Sequence, residues 1–357
     1  MGMPTEDERL LAFAEIALHN GSPGEALDAF ARLPGPAARY GEARALEALD
    51  RHTEATTHYE ALWRAAEPGS SERAERGVAL VRCHTQCGDL GTAADRGERA
   101  LADFTDHGHP WHEQAVRLGV TLEGVYGRRG ELRRANRLLR RLQTVADELG
   151  APGARGAVFW NSALNAYWLG RPEEACELSR QALALFGETE HHVNLATVRG
   201  IHGRMLGRAH PDRWEEALTL LLRAHAELSE LNQGYLLIDC ETEVADLLVR
   251  ADEPERALPY VRTALARPQT PATLAMADSR LVLAEALLAV GDRAGCEEEI
   301  AQATAILDAT HGAQRVLLAR EWHRTAALHR ACGAVEAALH AYRQALLLTG
   351  HGPPVWS

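Results

Sequence analysis

Cys83 and Cys87 stand four apart with His84 between them, a helical spacing that could bring two thiolates and an imidazole to one metal ion. Cys87, however, precedes Gly88 as Cys332 precedes Gly333, and a slot that recurs points to packing, where free cysteine behaves as a small hydrophobe. His107, His109 and His112 crowd one short stretch, and neutral imidazoles there could ligate zinc. Helical spacing fixes no cysteine or carboxylate beside them, so they read as loop histidines. Arg128, Arg129, Arg133, Arg134, Arg137, Arg140 and Arg141 form the one basic cluster. It wraps round more than one helix face and reads as solvated surface, with a phosphate or acidic-partner site as the alternative. Phosphate loops, His-Glu-x-x-His and Gly-x-Ser-x-Gly are missing. The expectation is a binding protein, not an enzyme, with no cofactor and no metal.

Aromatic residues make up 5% of the chain, yet Phe159, Trp160, Tyr167 and Trp168 fall within ten residues, interleaved with Asn161 and Asn165. Rings of this kind suit recognition because they offer apolar area at low entropic cost. What positions them is a repeat. A Gly or Asp is followed five residues later by Ala and nine later by an apolar residue, as in Gly21…Ala26…Phe30 and Gly333…Ala338…Tyr342. The anchor positions are Ala26, Ala55, Ala93, Ala135, Ala175, Ala217, Ala257, Cys296 and Ala338, on average 39 residues apart. The Gly or Asp ends one helix and turns the chain, and the small anchor lets the next helix approach closely. The registers of the second and sixth copies are the least regular. Trp322 and Ala326, ahead of Ala338 and Tyr342, resemble the large-then-small pattern of the tetratricopeptide consensus.

The spacing therefore predicts an all-α fold, a right-handed superhelical solenoid of about nine tetratricopeptide-like hairpins. It would span 1–349 as a single repeat domain, with a disordered tail at 350–357. Breakers agree: Leu33-Pro34-Gly35-Pro36, Pro68-Gly69-Ser70-Ser71, Ala151-Pro152-Gly153 and Arg267-Pro268-Gln269-Thr270-Pro271 fall between units, with Ser70 or Ser71 as a cap for the next helix.

Counting back from each anchor gives the positions that should face an inner groove. In the middle copies these include Arg82, Gly124, Trp160, Leu164 and Tyr167, with Asn161 and Asn165 alongside. Arg82, Arg117, Arg128 and Arg199 mark the earlier copies as basic. Asp239, Thr242, Asp246, Asp278 and Glu285 mark the later ones as acidic. A groove graded from positive through aromatic to negative suits a short peptide or zwitterionic small molecule. Scattered surface charge is the alternative.

Composition narrows the class. The 50 acidic and 38 basic residues leave a net charge of −12, and every basic side chain is arginine. Such a chain repels phosphate backbones, so no direct nucleic-acid contact is expected. No apolar run is long enough to cross a bilayer, the N-terminus lacks a signal core, and six cysteines form no small disulfide framework. The expectations are a cytoplasmic location and no membrane contact.

Ser71–Gly91, Gln114–Leu132 and Gly156–Asn165 resemble the tetratricopeptide sensor region of actinobacterial helix-turn-helix regulators. Repeat-like helix begins by about Glu8, which leaves no room in this sequence for the DNA-binding domain of that family. The resemblance implies a ligand-responsive module of a transcriptional regulatory system, bound by a small peptide, a small-molecule effector or a partner protein. A homodimer is left open. The competing expectations are a constitutive protein scaffold and an enzyme built into the groove without a recognisable motif.

Overall fold

The computed structural model describes residues 5–231, 233–267, 274–310 and 315–349. The expected tail and the breaker residues 268–271 lie outside them. The described residues form 18 α-helices and no strand. The chain divides into two compact units, one made of residues 1–126 and 133–154, the other of 127–132 and 155–357.

The first unit contains α1 (Glu6–His19), α2 (Pro23–Phe30), α3 (Pro36–Ala48), α4 (His52–Ala65), α5 (Ser71–Gln86), α6 (Leu90–Thr105), most of α7 (Glu113–Arg128) and α8 (Leu132–Leu149). The second contains nearly all of α9 (Pro152–Trp168), then α10 (Pro172–Phe186), α11 (His192–Ala209), α12 (Trp214–Glu230), α13 (Gly234–Arg250), α14 (Pro254–Ala266), α15 (Leu274–Ala289), α16 (Arg293–Ala309), α17 (Arg315–Ala331) and α18 (Val335–Leu348). Each even helix carries one anchor. Eight of the nine anchors have no exposed surface and Ala338 keeps 4%.

Turns explain the period. Gly88 has φ 76° and Gly333 φ 74°, a region open to glycine because it has no Cβ. The N–H of the following residue then closes the helix end, Asp89 onto the His84 carbonyl at 3.0 Å and Ala334 onto that of His329 at 2.8 Å. Asp50 (φ 58°) and Asp252 (φ 62°) adopt the same conformation without being glycine. The sixth turn differs: α11 leaves through a 3-10 turn at Pro211–Arg213, and the link from the end of α11 to its anchor is one residue longer than in the other hairpins. Ser70 caps α5, its hydroxyl accepting the Arg73 N–H at 3.1 Å. Trp322 and Ala326 are buried in the core of the last hairpin with Ala341.

Within the motif stretches, Cys83 and His112 serve packing. Cys83 is buried while Cys87 is exposed, so the shared slot before glycine does not fix burial; Cys332 in that slot is buried, its sulfur 3.7 Å from that of Cys296. The His112 ring meets the Phe104 ring edge-on at 5.2 Å, and its Nδ1 accepts the Ala115 N–H at 3.2 Å near the start of α7. The sequence held no periodic signal for that capping role.

Candidate functional site

In the first unit, a concavity of about 410 Å³ opens between α3, α5 and α7. Arg82 lines it but is not free: its guanidinium chelates Glu47, which also accepts the Tyr59 hydroxyl at 3.0 Å. Arg44 is held by Glu15 at 2.9 Å, and Tyr40 donates to Glu75 at 2.6 Å. Periodicity singled out Arg82 but not the tyrosines and carboxylates that fix it.

The second unit gathers most of the predicted site residues, and gives them unequal roles. Asp246 is 4% exposed and sits among Arg208 (2.8 Å), Arg250 (2.9 Å) and Arg324 (3.0 Å). Burial alone would raise its pKa, but the three guanidinium groups overcome that and hold the carboxyl below the ordinary aspartate value. Arg324 also reaches Asp278 at 2.7 Å and Glu285 at 2.5 Å. Arg204 pairs with Glu243 at 2.8 Å and lies over the Tyr167 ring at 5.4 Å. Arg320 donates to the Tyr167 hydroxyl at 3.3 Å, which ties α17 to α9. One charged network thus runs over α9, α11, α13, α15 and α17.

This corrects the expectation of an acidic end. Asp246, Asp278 and Glu285 do lie near one another, but arginines on α11 and α17 neutralise them. Thr242 is buried; its hydroxyl bonds Ser279 Oγ at 2.7 Å and the Ile238 carbonyl at 2.9 Å, which joins α13 to α15. Arg199 is 7% exposed and turned toward Glu227 of α12 at 3.3 Å. The extra residue in the link after α11 shifts the count back from the anchor by about 100°; Arg204 and Arg208 are the residues that reach the neighbouring odd helices.

On α9, Trp160 packs edge-on against Phe186 at 6.3 Å, beside Ala182 and Val198. Its indole N–H is buried and finds no acceptor among the described residues. Asn165 is 1% exposed, and Leu164 and Tyr167 lie half-buried against the main core. Asn161 is half-buried; its amide N–H bonds the Ala157 carbonyl at 2.9 Å, leaving the amide oxygen directed elsewhere.

Two predicted charges of the second unit stay unpaired among the described residues. Arg128 is half-buried, no carboxylate of the described residues is bonded to it, and desolvation pushes its pKa down. Asp239 on α13 is exposed and bonds no cation among the described residues. Crowding by the surrounding helices, with repulsion from Glu243 and Asp278 against the pull of Arg204, pushes its carboxyl up to about 6. A half-buried unpaired guanidinium and an unpaired carboxylate are the groups that gain most from an incoming partner of opposite charge.

No family model matches the chain, and no curated protein matches it in sequence. Solved structures do. A Rap protein complexed with competence and sporulation factor is 12% identical with a TM-score of 0.61, covering 97% of this chain and 98% of its own. NprR in complex with its cognate peptide NprX is 12% identical with a TM-score of 0.59, covering 99% and 90%. A signal-transduction ATPase with a tetratricopeptide repeat sensor, from Pyrococcus horikoshii, is 13% identical with a TM-score of 0.57; 98% of this chain matches 54% of that one. The fold is that of tetratricopeptide-repeat proteins. At such identities the likeness concerns architecture alone. No helix of the described residues is long and apolar enough to cross a membrane.

Proposed function

We propose that this chain is a peptide-sensing regulatory module, working in the cytoplasm by binding and not by turnover. A short peptide lies on the odd helices of the second unit, its ammonium at Asp239 and a carboxylate at Arg128. The observation that carries this reading is the pairing pattern: Asp246, Asp278 and Glu285 are neutralised from within, while these two opposite charges are left for a ligand. Asn161 and the edge of Trp160 supply an amide and apolar surface between charged ends. Similarity in fold to two proteins solved with peptide or signalling factor supports the same class of ligand. A peptide that engages both charges also biases the Tyr167–Arg320 tie between α9 and α17, which offers a route from occupancy to shape. The regulated process is transcription in this reading, through a DNA-binding partner, because the chain's net charge of −12 disfavours direct contact with nucleic acid.

The test is enrichment of a random heptapeptide library with free termini on immobilised protein, followed by calorimetry of the resynthesised winners. Asp239→Asn should weaken binding about ten-fold, and acetylating the peptide N-terminus should weaken wild type equally but leave the variant unmoved. Arg128→Ala should weaken peptides that carry the carboxylate and spare their amidated forms. Winners that bind both variants as they bind wild type would refute the site, and a library that yields no winner would refute the peptide.

A further inference from the structure

A repeat helix ordinarily turns a polar face to solvent. In α18 that face is apolar: Val335 is 64% exposed, Leu339 51% and Leu346 47%, with Tyr342 partly buried between them. At 3.6 residues per turn these four positions form a stripe roughly 60° wide. Their spacing of four, three and four is that of the a and d positions of a coiled coil. Ala338, Ala341 and Ala345 face the protein's own core on the adjoining side. On the other flank stand Glu336 and Arg343, seven apart, neither joined by an ion pair to another described residue.

We propose that α18 is the contact through which two copies of this chain pair, α18 lying antiparallel along α18 of the second copy. Antiparallel pairing about the middle of the helix sets Val335 opposite Leu346 and Leu339 opposite Tyr342, so every layer is apolar on both sides. In the same register Glu336 of one copy meets Arg343 of the other, and a two-fold axis makes this ion pair twice. Parallel pairing would put Glu336 and Arg343 of the two copies on opposite sides of the seam and would make no such ion pair. The flanking charges therefore choose both the orientation and the occupant, a second copy of the same helix.

Sedimentation velocity on the full chain tests this. Wild type should dimerise at about 10 µM, and Leu339→Glu should be monomeric. Glu336→Arg and Arg343→Glu should each raise the dissociation constant about ten-fold, because each places two like-charged pairs in the dimer. The double variant Glu336→Arg/Arg343→Glu should restore wild-type pairing. Circular dichroism confirms that Leu339→Glu remains helical; if it does not, the charge-swap series decides alone. A wild-type monomer at about 200 µM, a dimer indifferent to Leu339→Glu, or a double variant as weak as the singles would each overturn the proposal.

Discussion

In the first unit an arginine on an odd helix meets a carboxylate of the neighbouring hairpin, as Arg82 does with Glu47 and Arg44 with Glu15. In the second, Arg324 collects carboxylates from α13 and α15, and Arg320 bonds a tyrosine on α9, 153 residues away. The same hairpin grammar thus supports two electrostatic designs. Pairs between neighbours can be broken one at a time, and being partly exposed they are screened by solvent. A network across five helices loses several partners when one member goes, and its members are more deeply buried. The second unit therefore has the means to couple an event at one helix to the arrangement of the others.

The largest expected effect breaks this contrast directly. Asp246→Ala leaves Arg208, Arg250 and Arg324 without their shared carboxylate and should cost about 3–5 kcal/mol. Arg82→Ala removes a pair whose arginine side chain is 42% exposed and should cost no more than about 1 kcal/mol. Denaturant titrations of both variants, followed by helical signal, measure the difference. Equal losses would mean that the network contributes no more than its separate pairs.

Next in size is a test of what the units share. Ala93 and Ala175 are anchors of the first and second unit, and neither has exposed surface. Substitution by leucine should overpack either hairpin and cost about 1–3 kcal/mol in both. A loss at one anchor only would show that the repeat is packed differently in the two units.

A smaller effect separates ligand chemistry from architecture. The ammonium of a bound peptide needs Asp239 ionised, and its carboxyl is pushed up to about 6 in the free protein. Affinity should therefore rise with pH through about 6 and fall about ten-fold between pH 7 and pH 5. Stability moves the other way: a carboxyl whose folded pKa lies above its unfolded value costs stability once ionised, so folding weakens as pH rises from about 4 to about 6. Asp239→Asn should abolish the binding trend and remove that cost. A binding profile flat across this window would dissociate Asp239 from the ligand.

Much of the fold was legible because it rests on local constraints. A left-handed turn and a small anchor are written in single residues, and all nine anchors are buried as the period demands. The site was legible only in part. Counting along each helix put Asp246, Asp278 and Glu285 on a common face, but their partners Arg208, Arg320 and Arg324 come from other hairpins, and stacking decides which helices meet. Arginines four apart on α11 and α17 were the available signal. Trp160 shows the same limit: its spacing from Tyr167 fits a groove, whereas its packing depends on Phe186 of the next helix. Arg199 was displaced by the single extra residue in the link after α11, which no consensus spacing contains.

The smallest expected effect is a gain. Asp50 in the first unit and Asp252 in the second hold the left-handed turn that glycine holds in six other hairpins, among them those of Gly88 and Gly333. An L-residue there carries a steric cost of about 1 kcal/mol, softened for aspartate by local hydrogen bonding. Glycine removes the cost but gives the unfolded chain more freedom, so the net gain for Asp50→Gly or Asp252→Gly should be about 0.5 kcal/mol. Asp50 also faces His52 at 3.5 Å, but its side chain is 77% exposed, so losing that contact offsets little. The two substitutions should therefore raise the denaturation midpoint by similar amounts, measured singly and together. Because the turns lie far apart in sequence and share no partner, their gains should add. Gains that fail to add would show that the two ends of the repeat are coupled beyond nearest neighbours, as the network of the second unit is.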